Sequence, residues 1–391
     1  MLINDLLDIK AKNTKLILNT LRFQTSLTKK EIAELSSLSF ATVSNLSNEL
    51  KALDIFVDTK LEGKRVGRNP NSLALNQTQY LTVALDLQLE NTLGFAVVNL
   101  QDKILHQESF DISGLDTSGE IVDFAKKVFD EFLASYPAED TRFIGIGAAV
   151  PAVFDANDGN LVLSAVPVYE NIPLKELLSQ AFSMPVYVDN IANICALSAY
   201  TRHQNTKNIV CMDISQGVGV GIIADGNLLR GKNGYATEVA HVPIGDPDLQ
   251  CPYCGCRGCV ETELSLAGMT RYFPEIPNEL PLLERWNLFV EKVSEPNETT
   301  EQIIRRLGIL TGQLGTILIN MFDPEIFYIS GYISGIFDKL EPYFYKEIEA
   351  RCKMSLNRGL KIETLWHELP SNEQVYKGLC DALYELWYPL T

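Results

Sequence analysis

Four cysteines lie within nine residues of one another, and their spacing is typical of a metal site. They are Cys251, Cys254, Cys256 and Cys259, and His241 precedes the first of them by ten residues. Three thiolates and one imidazole form the closed set of four ligands that structural zinc prefers. We therefore expect Zn²⁺ here, with one cysteine left over. Redox cysteines or a disulfide are the alternative.

The other four cysteines are scattered, and the N terminus shows no export signal. The opening segment, MLINDLLDIKAKN, mixes acidic and basic residues without the apolar stretch of a signal peptide. No apolar run reaches the roughly 18 residues that a membrane span requires. We expect a cytoplasmic protein without a membrane partner, in which clustered cysteines favour metal binding over disulfides.

Two short helices joined by a tight connection are predicted near the N terminus. In SLTKKEIAELSSL, Thr28 precedes Glu31 by three residues, which is the spacing of a capping box. In SFATVSNLSNELKAL, Ser39 is the expected N-cap of the second helix, and apolar residues recur at helical spacing behind it. This arrangement predicts a helix-turn-helix.

The exposed start of the second helix offers small and polar groups to the edges of DNA bases. The following segment, IFVDTKLEGKRVGRNPNSLALN, predicts two strands around a basic turn, which is a wing able to contact phosphates. A helical domain that binds proteins is the alternative. The residues predicted to contact DNA are Thr28, Ser39, Phe40, Ala41, Thr42, Ser44, Asn45, Lys64, Arg65 and Arg68.

The charge of the chain is unevenly distributed. The net charge is −17, but residues 1–76 hold 11 Lys and Arg against 8 Asp and Glu, a net of +3. The remainder holds 22 against 42, a net of −20. A mildly basic head on an acidic body permits a modular DNA-binding protein.

Strand and helix patterns alternate after residue 76. Three strands, beginning YLTVALD, TLGFAVV and ILHQESF, precede a helix near 119–135, and further β and α segments follow to the C terminus. This order predicts an α/β body of two lobes, with any ligand at the carboxyl ends of the strands.

Several motifs of this body resemble the ROK family (repressors, open reading frames and kinases), and in particular its repressor branch, similar to the N-acetylglucosamine and xylose repressors. The resemblance covers nearly the whole chain. It implies an actin-like (ribonuclease H-like), two-lobed domain of the sugar-kinase type behind the winged helix-turn-helix, with a sugar in the cleft. The motifs that carry it are GIGAAVPAVFDANDGNLV, IPLKELLSQAFSMPVYVDNIAN, GVGVGIIADGNLLRGKNGYATEVAHV and CPYCGCRGCVE.

The resemblance also implies domain boundaries. We expect the winged helix-turn-helix in residues 1–76 and the first lobe in 77–188, completed by a C-terminal helix at about 376–391. The second lobe, residues 189–375, then holds the zinc loop and the sugar site.

Family positions imply the ligands of the metal and of the sugar. The metal ligands are then His241, Cys251, Cys254 and Cys259, which leaves Cys256 aside; typical members have one residue between the first two cysteines, and this chain has two. Carboxylates and amides suit a hexose because each buried hydroxyl needs a partner. Solvated, functionless glutamates are the alternative. The implied sugar ligands are Asn190, Glu238, His241 and Glu261.

Two motifs depart from the kinases of the family. Where these kinases carry Asn-Asp-Ala-Asn, this chain reads Asn190-Ile191-Ala192-Asn193, and isoleucine cannot act as the catalytic base. Asp189 lies one position too early to replace it. Where the family has Asp-x-Gly-Gly-Thr for phosphate, this chain has Asp86-Leu87-Gln88-Leu89-Glu90. The sequence therefore predicts no enzyme.

We expect a sugar-responsive transcriptional regulator, most simply a repressor, whose partners are operator DNA and a sugar effector. A palindromic operator further implies a homodimer or a dimer of dimers. Three alternatives remain open: a sugar kinase with a fused DNA-binding head, a metal-responsive regulator, and a ligand-independent repressor with a vestigial pocket.

Overall fold

The first part of the chain folds into three helices and a small antiparallel sheet. The computed structural model describes residues 2–60, 71–87, 91–136, 140–155, 160–164, 169, 172–203, 206–364 and 373–389. Within the sheet the order is β1-β3-β2, with both neighbouring pairs antiparallel. This is the predicted winged helix-turn-helix. Its elements are α1 (Leu2–Arg22), β1 (Leu27–Thr28), α2 (Lys29–Ser36), α3 (Phe40–Ala52), β2 (Phe56–Lys60) and β3 (Asn71–Leu75).

Side-chain caps fix the start of α2 and of α3. The Thr28 hydroxyl accepts the backbone N–H of Glu31, whose carboxylate accepts the N–H of Thr28, so the predicted capping box is confirmed. Ser39 accepts the N–H of Thr42 at the start of α3. Between the two helices Ser37 adopts a left-handed conformation (φ 56°), which ends α2 and turns the chain toward α3.

The body begins with a five-stranded mixed sheet in the order β10-β7-β4-β5-β6. Its middle strand β4 is buried along all seven residues, as a near-continuous apolar run predicts for a strand covered on both faces. A short hairpin of β8 and β9 follows β7. The strands are β4 (Tyr80–Asp86), β5 (Thr92–Asn99), β6 (Ile104–Asp111), β7 (Arg142–Val150), β8 (Ala152–Phe154), β9 (Leu161–Ser164) and β10 (Val186–Asn190).

Helices cover both faces of this first sheet. On one face α4 (Ser118–Ser135) and α5 (Leu174–Ala181) bury apolar residues such as Phe132 and Leu178 against the strands. On the other face lies α13 (Glu373–Leu386), which begins three residues before the predicted C-terminal helix. The last helix of the chain thus returns to the first sheet of the body.

A second five-stranded sheet has the order β13-β12-β11-β14-β15. Its helices include the long α10, which packs against α11. The strands are β11 (Ile209–Ile214), β12 (Val218–Ala224), β13 (Asn227–Leu228), β14 (Ile326–Ser330) and β15 (Lys361–Thr364). The helices are α7 (Glu261–Leu264), α8 (Leu266–Thr270), α9 (Leu282–Ser294), α10 (Glu298–Phe322), α11 (Phe337–Arg351) and α12 (Lys353–Asn357).

The helix α6 (Ile191–Arg202) links the two sheets. It follows β10 of the first sheet directly and packs against α13 as well as against β11 and β12 of the second sheet. The N terminus of α6 therefore lies where the two halves of the body meet. Among the described helices, none combines the length and the apolar character needed to cross a bilayer.

Candidate functional site

A cavity of about 190 Å³ lies between the two sheets. By the same measure one water needs roughly 10–15 Å³, so the cavity has room for about a dozen water-sized groups, which matches a monosaccharide. The ends of β7 and β10, the β11–β12 turn, the Val239–His241 turn and the start of α7 form its walls. The four residues predicted to bind sugar all line it: Asn190, Glu238, His241 and Glu261.

Four of the predicted metal ligands come together beside this cavity. The ligand atoms of His241, Cys251, Cys254 and Cys259 all lie within 4.8 Å of one another. Cys251 Sγ is 3.7 Å from His241 Nδ1, and Cys254 Sγ is 3.5 Å from Cys259 Sγ. The group could therefore hold a metal ion.

Two glycines shape the loop that carries the thiols. Gly255 and Gly258 both have positive φ, 72° and 78°, a backbone conformation that glycine adopts without a steric penalty. The Cys251 N–H donates to the Cys256 carbonyl at 2.7 Å and so closes the loop. The Cys256 side chain is exposed and lies outside the group of four.

The orientation of His241 suits a double role. Its Nδ1 faces Cys251 Sγ, and the residue also lines the cavity. Because the two ring nitrogens lie on opposite sides of the imidazole, a metal on Nδ1 leaves Nε2–H free to donate to a ligand in the cavity. The metal loop and the cavity thus share one side chain.

Glu261 is a buried carboxylate at the start of α7, with 4 % of its surface exposed. Its Oε2 accepts the backbone N–H of Val218 at 2.8 Å, which ties it to the β11–β12 turn. Burial raises the pKa of Glu261 to about 7, the Val218 hydrogen bond opposes this rise, and the charge of Glu238 adds to it. The second carboxylate oxygen remains available to a ligand.

Glu238 lines the cavity with an exposed side chain, and it has no hydrogen-bond partner within the part of the chain that the structure describes. Desolvation by the neighbouring groups nevertheless raises its pKa to about 6. A carboxylate that no protein donor occupies is available to a ligand that supplies one. Together with Asn190, His241 and Glu261, Glu238 makes the cavity suitable for a molecule rich in hydroxyl groups.

The start of α6 presents an amide and an isoleucine to the cavity. The side-chain oxygen of Asn190 caps α6 by accepting the Asn193 N–H at 2.9 Å, which leaves its NH₂ group free to donate. Ile191 also lines the cavity. An apolar side chain therefore stands directly beside Asn190, at the position where family kinases carry a carboxylate.

The Asp189 carboxylate takes part in a separate network of hydrogen bonds and one ion pair. It is fully buried, and its Oδ1 accepts the Asn190 N–H and the Asn193 side-chain NH₂, both at 2.9 Å. Its other oxygen pairs with Arg230 and accepts from the Tyr187 hydroxyl. With both oxygens engaged, the Asp189 carboxylate is held by its partners. The predicted phosphate-loop residues Gln88, Leu89 and Glu90 lie outside the described residues.

Three cavity residues were not predicted from the sequence. Asp213, at the end of β11, accepts the Ser330 hydroxyl at 2.9 Å. Thr237 has φ 74°, an unfavourable conformation for a β-branched residue. Tyr253 lies inside the cysteine loop. Of these three residues, only Tyr253 could have been noticed in the sequence, because this chain has two residues between Cys251 and Cys254 and typical family members have one.

The predicted DNA-contacting residues of α3 form an accessible surface. Phe40 is 58 % exposed, and Ala41 and Asn45 are exposed as well. Thr42 and Ser44 are half-buried, while Thr28 and Ser39 serve as helix caps. The wing residues Lys64, Arg65 and Arg68 lie outside the described residues.

One cation on this surface was not predicted. Lys29, at the start of α2, donates to the Asn48 side chain at 2.9 Å and to the Ser44 hydroxyl at 3.2 Å. Its ammonium group therefore lies over the polar face of α3.

The two lobes, the cleft between them and the winged helix-turn-helix define the architecture of a DNA-binding regulator built on the actin-like fold of sugar kinases. The ROK family model matches residues 90–378 of the chain. This protein belongs to the ROK family.

Individual relatives include both regulators and kinases. The chain is 24% identical to the xylose repressor of Caldicellulosiruptor bescii over 367 residues, which cover 91% of this chain and 92% of that protein. A ROK family transcriptional regulator, a homolog of the E. coli MLC protein, superposes with a TM-score of 0.74 at 23% identity and covers 97% of this chain and 98% of its own. The ROK hexokinase of Thermus thermophilus gives a TM-score of 0.61 at 18% identity, covering 78% and 99%. These structures share the fold.

Proposed function

We propose that this protein is a sugar-responsive transcriptional repressor that acts in the cytoplasm, where operator DNA lies. The winged helix-turn-helix, residues 1–76, binds the operator. Residues 77–188 with the C-terminal helix form one lobe, and residues 189–375 form the other, which carries the metal loop and the sugar site. The similarity to repressors over nearly the whole chain, DNA-binding part included, supports this division of labour.

The observation that carries the proposal is the convergence of Asn190, Glu238, His241 and Glu261 on one cavity of monosaccharide size. They offer one amide donor, one imidazole donor and two carboxylate acceptors. A sugar hydroxyl donates one proton and accepts others, so this mixture suits several adjacent hydroxyls. The partnerless Glu238 would accept from the first of them.

Zinc is the metal we propose for His241, Cys251, Cys254 and Cys259. In a tetrahedral zinc site with Zn–S of about 2.3 Å, neighbouring ligand atoms lie roughly 3.5–3.8 Å apart. The separations of 3.7 and 3.5 Å fit that geometry. Such an ion serves as a structural crosslink. His241 and, two residues after Cys259, Glu261 would thereby be held toward the sugar.

We propose that the protein does not phosphorylate its sugar. Ile191 offers no proton acceptor, and Asp189 is ion-paired with Arg230. The competing kinase function has one observation in its favour, since Asp213 supplies another carboxylate to the same cavity. Incubation with ATP and each sugar, followed by mass spectrometry of the sugar, distinguishes the two. Phosphorylated sugar in an amount above the enzyme concentration would contradict the repressor-only function.

A homodimer or a dimer of dimers would present two DNA-binding heads to a palindromic operator, and sugar binding would change their relative orientation. Analytical ultracentrifugation with and without operator DNA tests this assembly. A protein that binds operator DNA strictly as a monomer contradicts it.

A thermal-shift screen against pentoses, hexoses, N-acetylhexosamines and their 6-phosphates tests sugar binding, with ATP as control. A ligand at a hundred times its Kd adds about 2.7 kcal/mol of stability, which raises the melting temperature. Any sugar that shifts it is then titrated against the protein bound to DNA. A flat response to every sugar would leave only a ligand-independent DNA-binding protein.

Metal content tests the zinc proposal separately. We expect atomic absorption to find one zinc ion per chain. When a chelator removes the zinc, His241 and Glu261 should no longer be held toward the cavity. A structural site should unfold locally on removal, and a sensing site should remain folded in both states. Reversible, fold-preserving zinc exchange that alters DNA binding would favour the metal-responsive regulator instead.

A further inference from the structure

Tyr253 is a large aromatic side chain held between two of the proposed metal ligands. It lies between Cys251 and Cys254, lines the cavity and keeps 41 % of its surface exposed. Because the ring lines the cavity, it is accessible to a ligand that occupies the cavity. The function proposed above leaves this ring without a role.

The loop holds the ring in a fixed position. Pro252 restricts the backbone just before it, and the Gly255 N–H donates to the Cys251 carbonyl at 3.0 Å. A metal bound by the neighbouring cysteines would fix the loop further. A backbone that is already fixed at Tyr253 reduces the conformational entropy that is lost when a ligand binds there.

The surroundings of the ring define what it can bind. Tyr253 lines the same cavity as the carboxylates Glu238 and Glu261. Among the described residues, none accepts from or donates to this hydroxyl. One wall of the cavity is therefore an aromatic ring, and carboxylates lie next to it.

A pyranose has two kinds of surface that match these two walls. Its rim carries hydroxyls, which carboxylates and amides bind. Its faces carry axial C–H groups, whose partial positive charge is attracted to the negative face of an aromatic ring. Because the polar groups already supply the rim contacts, the face is the part of the sugar still without a partner.

We infer that Tyr253 stacks on the C–H face of the bound pyranose and so helps to decide which sugar is the effector. This inference rests on the sugar-binding function proposed above and adds a ligand class to it. Sugars with an uninterrupted C–H face, such as those whose hydroxyls are all equatorial, bind best. An axial hydroxyl on the stacked face would separate sugar and ring and would lose its hydration without gaining a partner.

Substitution at Tyr253 tests the stacking by calorimetry with D-xylose, D-glucose, D-mannose, D-galactose and N-acetyl-D-glucosamine. We expect Tyr253→Ala to weaken binding of the tightest of these sugars about tenfold or more, and Tyr253→Phe to stay within about threefold of wild type. Tyr253→Leu, which keeps apolar bulk without a π-face, should lie between them. Upfield ring-current shifts of the sugar C–H protons in NMR should occur with wild type and Phe and vanish with Leu.

Tyr235 provides a matched control. It is exposed to a similar extent, 39 %, but it does not line the cavity, and its hydroxyl donates to Asp155 at 2.9 Å. Tyr235→Ala should leave sugar affinity within about threefold. Zinc content is measured for every variant, so that collapse of the cysteine loop is recognised.

Each contrary result has its own meaning. Wild-type affinity in Tyr253→Ala would overturn the stacking and leave the sugar site intact. Equal losses in Tyr253→Phe and Tyr253→Ala would assign the contact to the hydroxyl and overturn it too, as would an affinity loss that follows zinc loss. No binding of any of the five sugars to wild type would instead contradict the proposed function itself.

Discussion

At the scale of single residues, Glu238 is a side chain for which the stability of the fold and the affinity for sugar make opposite demands. Its raised pKa means that the folded protein disfavours the charged carboxylate relative to the unfolded chain. We predict that Glu238→Gln leaves the melting temperature unchanged or higher, while sugar affinity falls at least tenfold because an acceptor is lost. Calorimetry and thermal unfolding measure the two effects. Glu301→Gln, at an exposed position of α10, should change neither.

Thr237 is a second residue at which local strain accompanies the cavity. A β-branched side chain at φ 74° costs of order 1–3 kcal/mol, and glycine adopts that conformation freely. Thr237→Gly should therefore stabilise the protein by about 1 kcal/mol in urea unfolding. The same substitution at Thr20, inside α1, should instead destabilise it, by roughly a few tenths of a kcal/mol. A loss of stability in Thr237→Gly would show that the threonine is not strained.

Residue types in fixed motifs could be predicted, and residues that meet only through folding could not. The cysteine ligands, Glu238 and Glu261 could be proposed from the sequence because each lies in a short segment with a recognisable motif. Asp213 also lines this cavity, but it lies at the end of a strand. The sequence of that segment, VCMDIS, is the one expected of an ordinary buried strand. Which loops gather around a cavity depends on the packing of both sheets, and a local pattern carries no information about that.

At the scale of elements, a buried ion-pair cluster attaches α1 to the body. Arg22 is 2 % exposed and lies 2.6 Å from both Asp102, in the β5–β6 turn, and Asp381 in α13. Its guanidinium also sits 4.0 Å from the centre of the Tyr384 ring. Burial raises the pKa of Asp381 well above its usual range, and the positive charge of Arg22 opposes this rise. Three distant segments thus meet at one side chain.

We predict that Arg22→Met destabilises the protein by about 3–5 kcal/mol, because it leaves buried acids without their counter-ion. Replacing Asp381 by Asn in the same chain should recover part of this loss. Denaturant unfolding, followed by fluorescence, measures both. Lys10→Met removes an exposed ion pair with Glu49 and should cost less than about 1 kcal/mol. An Arg22→Met loss as small as the Lys10→Met loss would refute the role of the cluster.

The sequence predicted most of the helices and strands, but it did not predict which of them pack against one another. Capping residues and apolar periodicity located α2, α3 and the alternating body, whereas contacts between distant segments had no such local signal. Nor could the contact of Asn19 with Tyr384, 365 residues away, be foreseen from either segment alone.

At the scale of the whole molecule, α6 and α13 form a continuous path from the cavity to the DNA-binding part. Asn190 caps α6 at the cavity, and one turn later Ile194 contacts α13 at Gly378. Further along α13, Asp381 and Tyr384 hold Arg22 and Asn19 of α1. A sugar that moves the start of α6 would thus shift α13, and with it the orientation of the DNA-binding head.

The contact at Gly378 allows this path to be interrupted. A Cβ there would lie 2.6 Å from the Ile194 carbonyl oxygen and 2.5 Å from its Cγ2, so Gly378→Ala forces the two helices apart. We predict that the variant binds sugar and DNA separately within about threefold of wild type, but that sugar no longer changes its affinity for DNA. Fluorescence anisotropy of a duplex selected with the wild-type protein, titrated with and without sugar, measures the change. Gly119→Ala, in α4 with no neighbour closer than 4.0 Å, should keep the full response. If Gly378→Ala responds to sugar as wild type does, the signal must travel by another route than α6 and α13.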